Sequence, residues 1–422
     1  MAAGGGDRSS RALIGRGRPG GGGVGARAWS ARFAAAAGVM RGAGAGVARA
    51  QSQITPGAPS IPLTATAQAS GAQITYQYGI EFVTIPGGTL NAQPWQGNGT
   101  EGDRAVGRGA VPYDYRIGRF EVTTAQWVAF FNAAYDRPRS EWLPHLLPPT
   151  YWGAAGTTPT TPGGLRWTVP AGNEMRPVGN ISWRMAAMYC NWLHNGQSSD
   201  RSAFLSGAYD VGTFGSNSSG FTDQFTHAPG ARFWIPTLDE MLMAGHYDPN
   251  RHGAGQGGWW LWDITSDTPP VYGPPGVMVN GRPAQANANW GSTDYPGFNP
   301  FTISLGAYPT VQSPWGLLDL AGGTFEWLEE ISFTNGIFPT ARRFDGSAWG
   351  SSFSAAGDVI HFFGADFPSL SLGDLGFRIA AAIPSPSTAA TMALALTGGL
   401  RRRRFACAPR AVAPVHLRVR TP

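Results

Sequence analysis

The sequence predicts an α+β fold with few helices, short strands and long irregular connections. Sixty glycines and 34 prolines, scattered through 422 residues, cut regular periodicity into short pieces. Three segments alone keep a helical apolar repeat of useful length. The remainder alternates over a few residues at a time between loops such as "NRHGAGQGG" and "SDTPPVYGPPG", the pattern of short strands. With 42% hydrophobic residues the chain can bury a sizeable core.

In chain order, residues 1–50 are expected to be a signal-peptide region with an over-extended start. "RFAAAAGVMRGAGAGVARAQSQ" has a basic beginning, a small apolar stretch interrupted by Arg41, and Ala-Arg-Ala before Gln51. Residues 51–75 read as a linker and 76–382 as one domain without internal repeats. Residues 383–404, "IPSPSTAATMALALTGGLRRRR", contain a Pro-rich spacer, about a dozen mainly apolar residues and four arginines. They resemble the PEP-CTERM sorting signal of exported bacterial proteins, with Ser385 where that motif has Glu. A basic tail, 405–422, closes the chain.

Inside the domain, "VTTAQWVAFFNAA" opens with Thr123 and Gln126 in capping-box spacing and places Trp127, Phe130 and Phe131 on one face. "SWRMAAMYCNWLHNG" starts at Ser182, repeats apolar groups at Trp183, Ala186, Ala187, Cys190 and Leu193, and stops at Asn195-Gly196. "PTLDEMLMAGHY" opens with Thr237 and Glu240 as a second capping box.

Charge and motifs exclude several function classes. The chain is +5 overall, yet residues 1–50 hold eight arginines and one acid, and 401–422 hold seven arginines and no acid. Between Gln51 and Leu400 there remain 16 basic and 25 acidic residues, a net of −9. Nucleic-acid binding would need basic residues clustered on the domain itself, so it is not expected. The two cysteines, Cys190 and Cys407, make no disulfide framework, and Cys190 reads as a small buried apolar residue. The histidines form no H-x-x-x-H or H-E-x-x-H pair, and His246 and His252 flank a loop and are expected at the surface. Ser351 and Ser352 have no His/Asp order of a triad nearby, and no phosphate-cradling GxxxxGK[ST] is present. Asp239-Glu240 are explained by helix capping and the helix dipole.

One stretch, "SPWGLLDLAGGTFEWLEE", sets Asp319 and Glu326 at either end of a Gly322-Gly323 turn. Carboxylates beside glycines that expose backbone carbonyls suit a bound calcium. The same pattern also suits an ordinary turn whose acids face water. Sequence alone leaves both open.

Taken in order, "YRIGRFEVTTAQWVAFFNA", "RPVGNISWRMAAMYCNWL", "ARFWIPTLDEMLMAGHYDP", "SPWGLLDLAGGTFEWLEE" and "LGFRIAA" resemble the signature segments of the formylglycine-generating enzyme family, also called sulfatase-modifying factors. The resemblance covers essentially all of 76–382 and is closest to a branch that ends in PEP-CTERM signals. It implies an irregular, loop-rich α+β fold related to C-type lectins. For the Gly-Gly turn it implies a structural calcium held by the carboxylates of Asp319 and Glu326 and the carbonyls of Gly322 and Thr324, with a second site starting at Asn289. For activity it implies two copper(I)-binding cysteines shortly after a segment of the type R-x-L-R-G-G-S-W, which reads "RRFDGSAW" here. Counted from that segment, the positions fall at Ser351 and Ala356, and neither is a thiol. No copper is therefore expected. The expected function is an exported, non-catalytic module at the cell surface or outside the cell, binding a surface glycan or protein, with transient membrane contact through its sorting segment. A metal-dependent oxidase or formylglycine-generating-type enzyme is the alternative.

Overall fold

A computed structural model describes residues 73–88, 107–146, 153–157, 166–332, 340–349, 357–360 and 364–384. The first two strands, β1 (Ile74–Gln77) and β2 (Ile80–Ile85), form a hairpin over Tyr78-Gly79. Both turn residues have positive φ, 54° and 75°, the mirror-image turn that matches the twist of paired strands. The first described strand thus starts at Ile74, two residues ahead of residue 76. β2 pairs with β3 (Tyr115–Gly118), and the sheet is completed by β4 (Phe233–Trp234) and by a strand from the far end of the domain.

The three expected helices form where their local chemistry sets them. α1 spans Thr124–Tyr135, and the Thr123 hydroxyl and the Gln126 side chain complete the capping box. α2 spans Trp183–His194; the Ser182 hydroxyl accepts from the Met185 amide, and the helix stops at Asn195 before left-handed Gly196. α3 spans Leu238–His246, with Thr237 and Glu240 closing its box.

α2 is enclosed further than its apolar repeat requires, since every residue from Trp183 to Leu193 is buried. Its polar members are satisfied inside. Arg184 donates to both Asp223 oxygens at 2.6 and 2.9 Å, and the Asn191 amide nitrogen donates to the Phe204 and Tyr209 carbonyls. His246 is likewise not at the surface. It is 4% exposed at the end of α3, with Nδ1 3.2 Å from the Trp260 carbonyl, whereas His252 is exposed as expected.

A second sheet carries the long strand β5 (Phe325–Ser332), flanked by β6 (Ala341–Asp345) and, beyond it, β7 (Gly364–Asp366), with β8 (Leu375–Gly376) parallel on its other side. The last strand, β9 (Ala380–Ala382), returns to the first sheet, whose order is β1-β2-β3-β9-β4. α2 docks on β5 through two indoles: Trp183 Nε1 donates to the Leu328 carbonyl at 3.1 Å, and Trp327 Nε1 to that of Ile181 at 2.7 Å. Trp127 of α1 packs against Phe130, Phe131, Tyr189 and Phe377 with ring centroids 4.9–5.7 Å apart, joining both helices to the chain ahead of β9. Among the described residues most tryptophans are core or half-buried, and none is among the exposed large apolar side chains.

Candidate functional site

The Gly-Gly turn leads directly into β5, and its shape is forced by neighbours. Asp319, Gly322 and Gly323 have φ of 55°, 90° and 78°, so the chain doubles back within five residues. Gly322 passes over the backbone of Asn287, where an added Cβ would sit 2.6 Å from the amide nitrogen. A Cβ on Gly323 would collide with Glu121 Oε1. Glycine is required at both positions by close approach.

The acids around this turn do not face water. Glu326, 1% exposed, accepts from Arg378 Nε at 3.0 Å on one oxygen and from Nη2 at 2.8 Å on the other, a bidentate pair. The same guanidinium donates to the carbonyls of Gly118 and Leu318 at 2.9 and 3.0 Å, so it ties β3, the turn and β5 together. Glu121, equally buried, takes the Thr324 hydroxyl at 2.5 Å and the Thr324 amide at 3.2 Å. Burial and the nearby Glu326 push the Glu121 carboxyl well up. Asp319 Oδ2 accepts the Gly306 amide at 2.6 Å, and burial pushes this carboxyl up to about 6.

Against this geometry the implied calcium set does not fit as arranged. Both Glu326 oxygens are engaged by Arg378, Asp319 Oδ2 is engaged by the Gly306 amide, and the positive charge beside Glu326 is a guanidinium. The plain-turn reading is corrected as well, because Glu326 is buried and paired. Asn289 lies exposed with φ 56° between buried Ala288 and Trp290. Ser351 and Ala356 lie outside the described residues, and neither side chain offers the thiolate copper(I) requires. No step is routed through either metal.

Sequence reading missed Arg378 and Glu121 as site residues, although both lie in quoted segments, "LGFRIAA" and "YRIGRFEVTT". For Arg378 the signal was a charged residue inside an otherwise apolar strand-like run, which implies a buried partner; Glu121, in a run that also holds Arg116 and Arg119, carried no such signal. Further along β5 the other two acids are also engaged. Glu329 accepts from the Tyr209 hydroxyl at 2.7 Å and pairs with His227 Nδ1 at 2.9 Å; Glu330 accepts from Arg108 at 2.7 Å and from the Leu238 amide at 2.5 Å. Burial alone would lower the His227 pKa, but the Glu329 carboxylate outweighs it and raises it.

An irregular two-sheet α+β domain, with its motifs in this order around a glycine turn and a buried Glu-Arg pair, is of the formylglycine-generating-enzyme class, a fold related to C-type lectins. The family model of the sulfatase-modifying factor enzyme 1-like domain matches residues 70–383, and the chain belongs to that family. Among solved structures it is similar to CarF, at 20% identity and a TM-score of 0.44 over 72% of this chain and 99% of that one. It is also similar to variable protein 1 of Treponema denticola, at 19% and 0.41 over 74% and 99%. PvdO from Pseudomonas aeruginosa matches at 16% and 0.38 over 76% and 100%. No curated protein matches.

Proposed function

We propose that this member of the family is non-catalytic toward sulfatase cysteines and serves, after export, as a binding or structural module at the cell surface or outside the cell. The observation that carries the reading is the thiol inventory. Copper(I) chemistry of the family type needs a pair of thiolates. The chain has two cysteines, and Cys190 is fully buried in α2, where burial pushes its thiol well up and leaves it inert. The second, Cys407, lies outside the described residues.

The test is incubation of the purified chain with a Cys-x-Pro-x-Arg peptide, with copper supplied. Unchanged peptide is expected by mass spectrometry, and formylglycine above a no-enzyme control would end the reading. For export, the mature chain is expected to begin near Gln51 in the exported fraction. Recovery of the intact chain, Met1 included, from the cytoplasm would contradict it. A glycan and surface-protein array would then name the ligand class; exposed aromatic groups such as Tyr76, Tyr113 and Phe225 are available for recognition.

A further inference from the structure

We propose that Asp263 and Asp358 form a site for one hard divalent cation of the calcium class, adjoining the Gly-Gly turn, whose Gly322 amide shares the Ser347 hydroxyl with Asp358, but not using the acids of that turn as ligands. Trp262 and Val359 pair as an antiparallel bridge, and the Ile360 amide donates to the Leu261 carbonyl at 2.9 Å. One step along that bridge, Asp263 stands opposite Asp358, and opposed residues in such a pair hold their Cβ atoms about 4.5–5.5 Å apart. Two carboxylates at that separation can reach one ion.

Their surroundings point to a ligand. Asp263 and Asp358 are 6% and 2% exposed. Oδ2 of Asp358 accepts from the Tyr272 hydroxyl at 2.8 Å and the Ser347 hydroxyl at 3.0 Å, which fixes the carboxylate plane. Oδ1 of Asp358 and Oδ1 of Asp263 are shielded from solvent and have no hydrogen-bond partner among the described residues. A buried acceptor left without a donor is costly, and these are two such oxygens on residues one step from the same bridge. Asp263 also lines a small cavity with Asp345, Glu326 and His246, with room for about one water or one ion and none for an organic substrate.

Charge separates this group from the other buried acids. Glu326 has Arg378, Asp223 has Arg184 and Glu329 has His227. Among the described residues, no such pair is formed by Asp263, Asp345 or Asp358. One proton shared across the pair would still leave Asp345 beside it, whereas a divalent ion answers both charges of the pair. The described residues hold no group of three or more His, Cys, Asp or Glu side chains set for a metal. The remaining coordination must therefore come from neutral oxygens and water, which calcium accepts and soft or nitrogen-seeking metals do not favour.

The full chain is titrated with Tb³⁺, a calcium mimic, using tryptophan-sensitised luminescence, since Trp262 adjoins Asp263; Ca²⁺ is then used as competitor. One equivalent is expected to bind and to be displaced by Ca²⁺. Asp263→Asn and Asp358→Asn should each weaken binding at least tenfold, while Asp319→Asn, which removes a charge beside the shared cavity but no ligand, should weaken it by clearly less. The melting temperature of the unaltered chain should rise on adding Ca²⁺. Absence of saturable binding at millimolar ion overturns the proposal, and so does uptake of a proton on folding near neutral pH with no response to any ion. Loss of binding in Asp319→Asn alone would move the ion to the turn and also overturn it. If Asp358→Asn does not fold, Asp263→Asn and the stoichiometry of Ca²⁺ in equilibrium dialysis decide.

Discussion

At Arg378 a single side chain answers the charge of Glu326 and the carbonyls of two other segments, all out of water. Arg378→Met would strand the Glu326 carboxylate, and breaking a buried pair in this way costs about 3–5 kcal/mol. The loss should appear as a lower urea midpoint. Combining it with Glu326→Gln should recover more than half, because no uncompensated charge then remains; a double variant no better than Arg378→Met would show that packing, and not charge, holds this corner. The spacing of Asp319 and Glu326 around the glycines was legible in the sequence. Their partners were not, because Arg378 lies 52 residues from Glu326 and Glu121 lies 203 residues from Thr324, and nothing local announces such pairings.

Helices were legible at their ends because capping is local chemistry. Thr123 with Gln126 and Thr237 with Glu240 set the starts of α1 and α3, and Asn195-Gly196 set the end of α2. The degree of enclosure was not legible. Arg184 and Asn191 look like a solvated face until Asp223 and the Phe204 and Tyr209 carbonyls are brought to them by the fold. The α3 box makes a pH prediction. Burial pushes Glu240 from 4.5 up to about 7, against hydrogen bonds from the Thr237 amide, Trp234 Nε1 and the Tyr113 hydroxyl. The folded chain therefore holds this proton more tightly than the unfolded one. Its contribution is fully present below about pH 4.5 and is lost as pH rises through about 7, on the order of 3 kcal/mol at most. Glu240→Gln cannot titrate and offers amide hydrogens to neighbours that are already donors, so it should melt lower than the unaltered chain at pH 5. That gap should narrow by pH 8, and a gap that widens would mean Glu240 is ionised throughout.

Across the whole molecule, the order of motifs and not any one of them made the family readable, and the family match over residues 70–383 agrees with it. Composition gave the balance of core and loop but not where individual polar groups end up: His246, expected at the surface, is buried, and the buried Asp263 and Asp358 drew no reading at all. Those acids sit in "WDITSD" and "AAGDVI", which carry no motif, and only the bridge between Trp262 and Val359 brings them together. The unreactive outcome expected with the sulfatase peptide belongs to this scale too, since it follows from a count of thiols over the entire chain.

The place of β9 in the first sheet fixes when the domain can form. Among the described residues β3 and β4 are joined only through residues 380–382, the last described strand, so synthesis leaves the β1-β2-β3 sheet and β4 unjoined until that strand has appeared. Such long-range closure is slow and cannot begin on a nascent chain that still lacks its final strand. A chain ended after Ile379 keeps Arg378 yet lacks β9, and it should show no cooperative melt and rapid proteolysis, whereas one ended after Pro384 should melt in a single transition. Joining of the first sheet therefore waits for residues 380–382, and until they have appeared the polypeptide lacks the strand that holds β3 to β4.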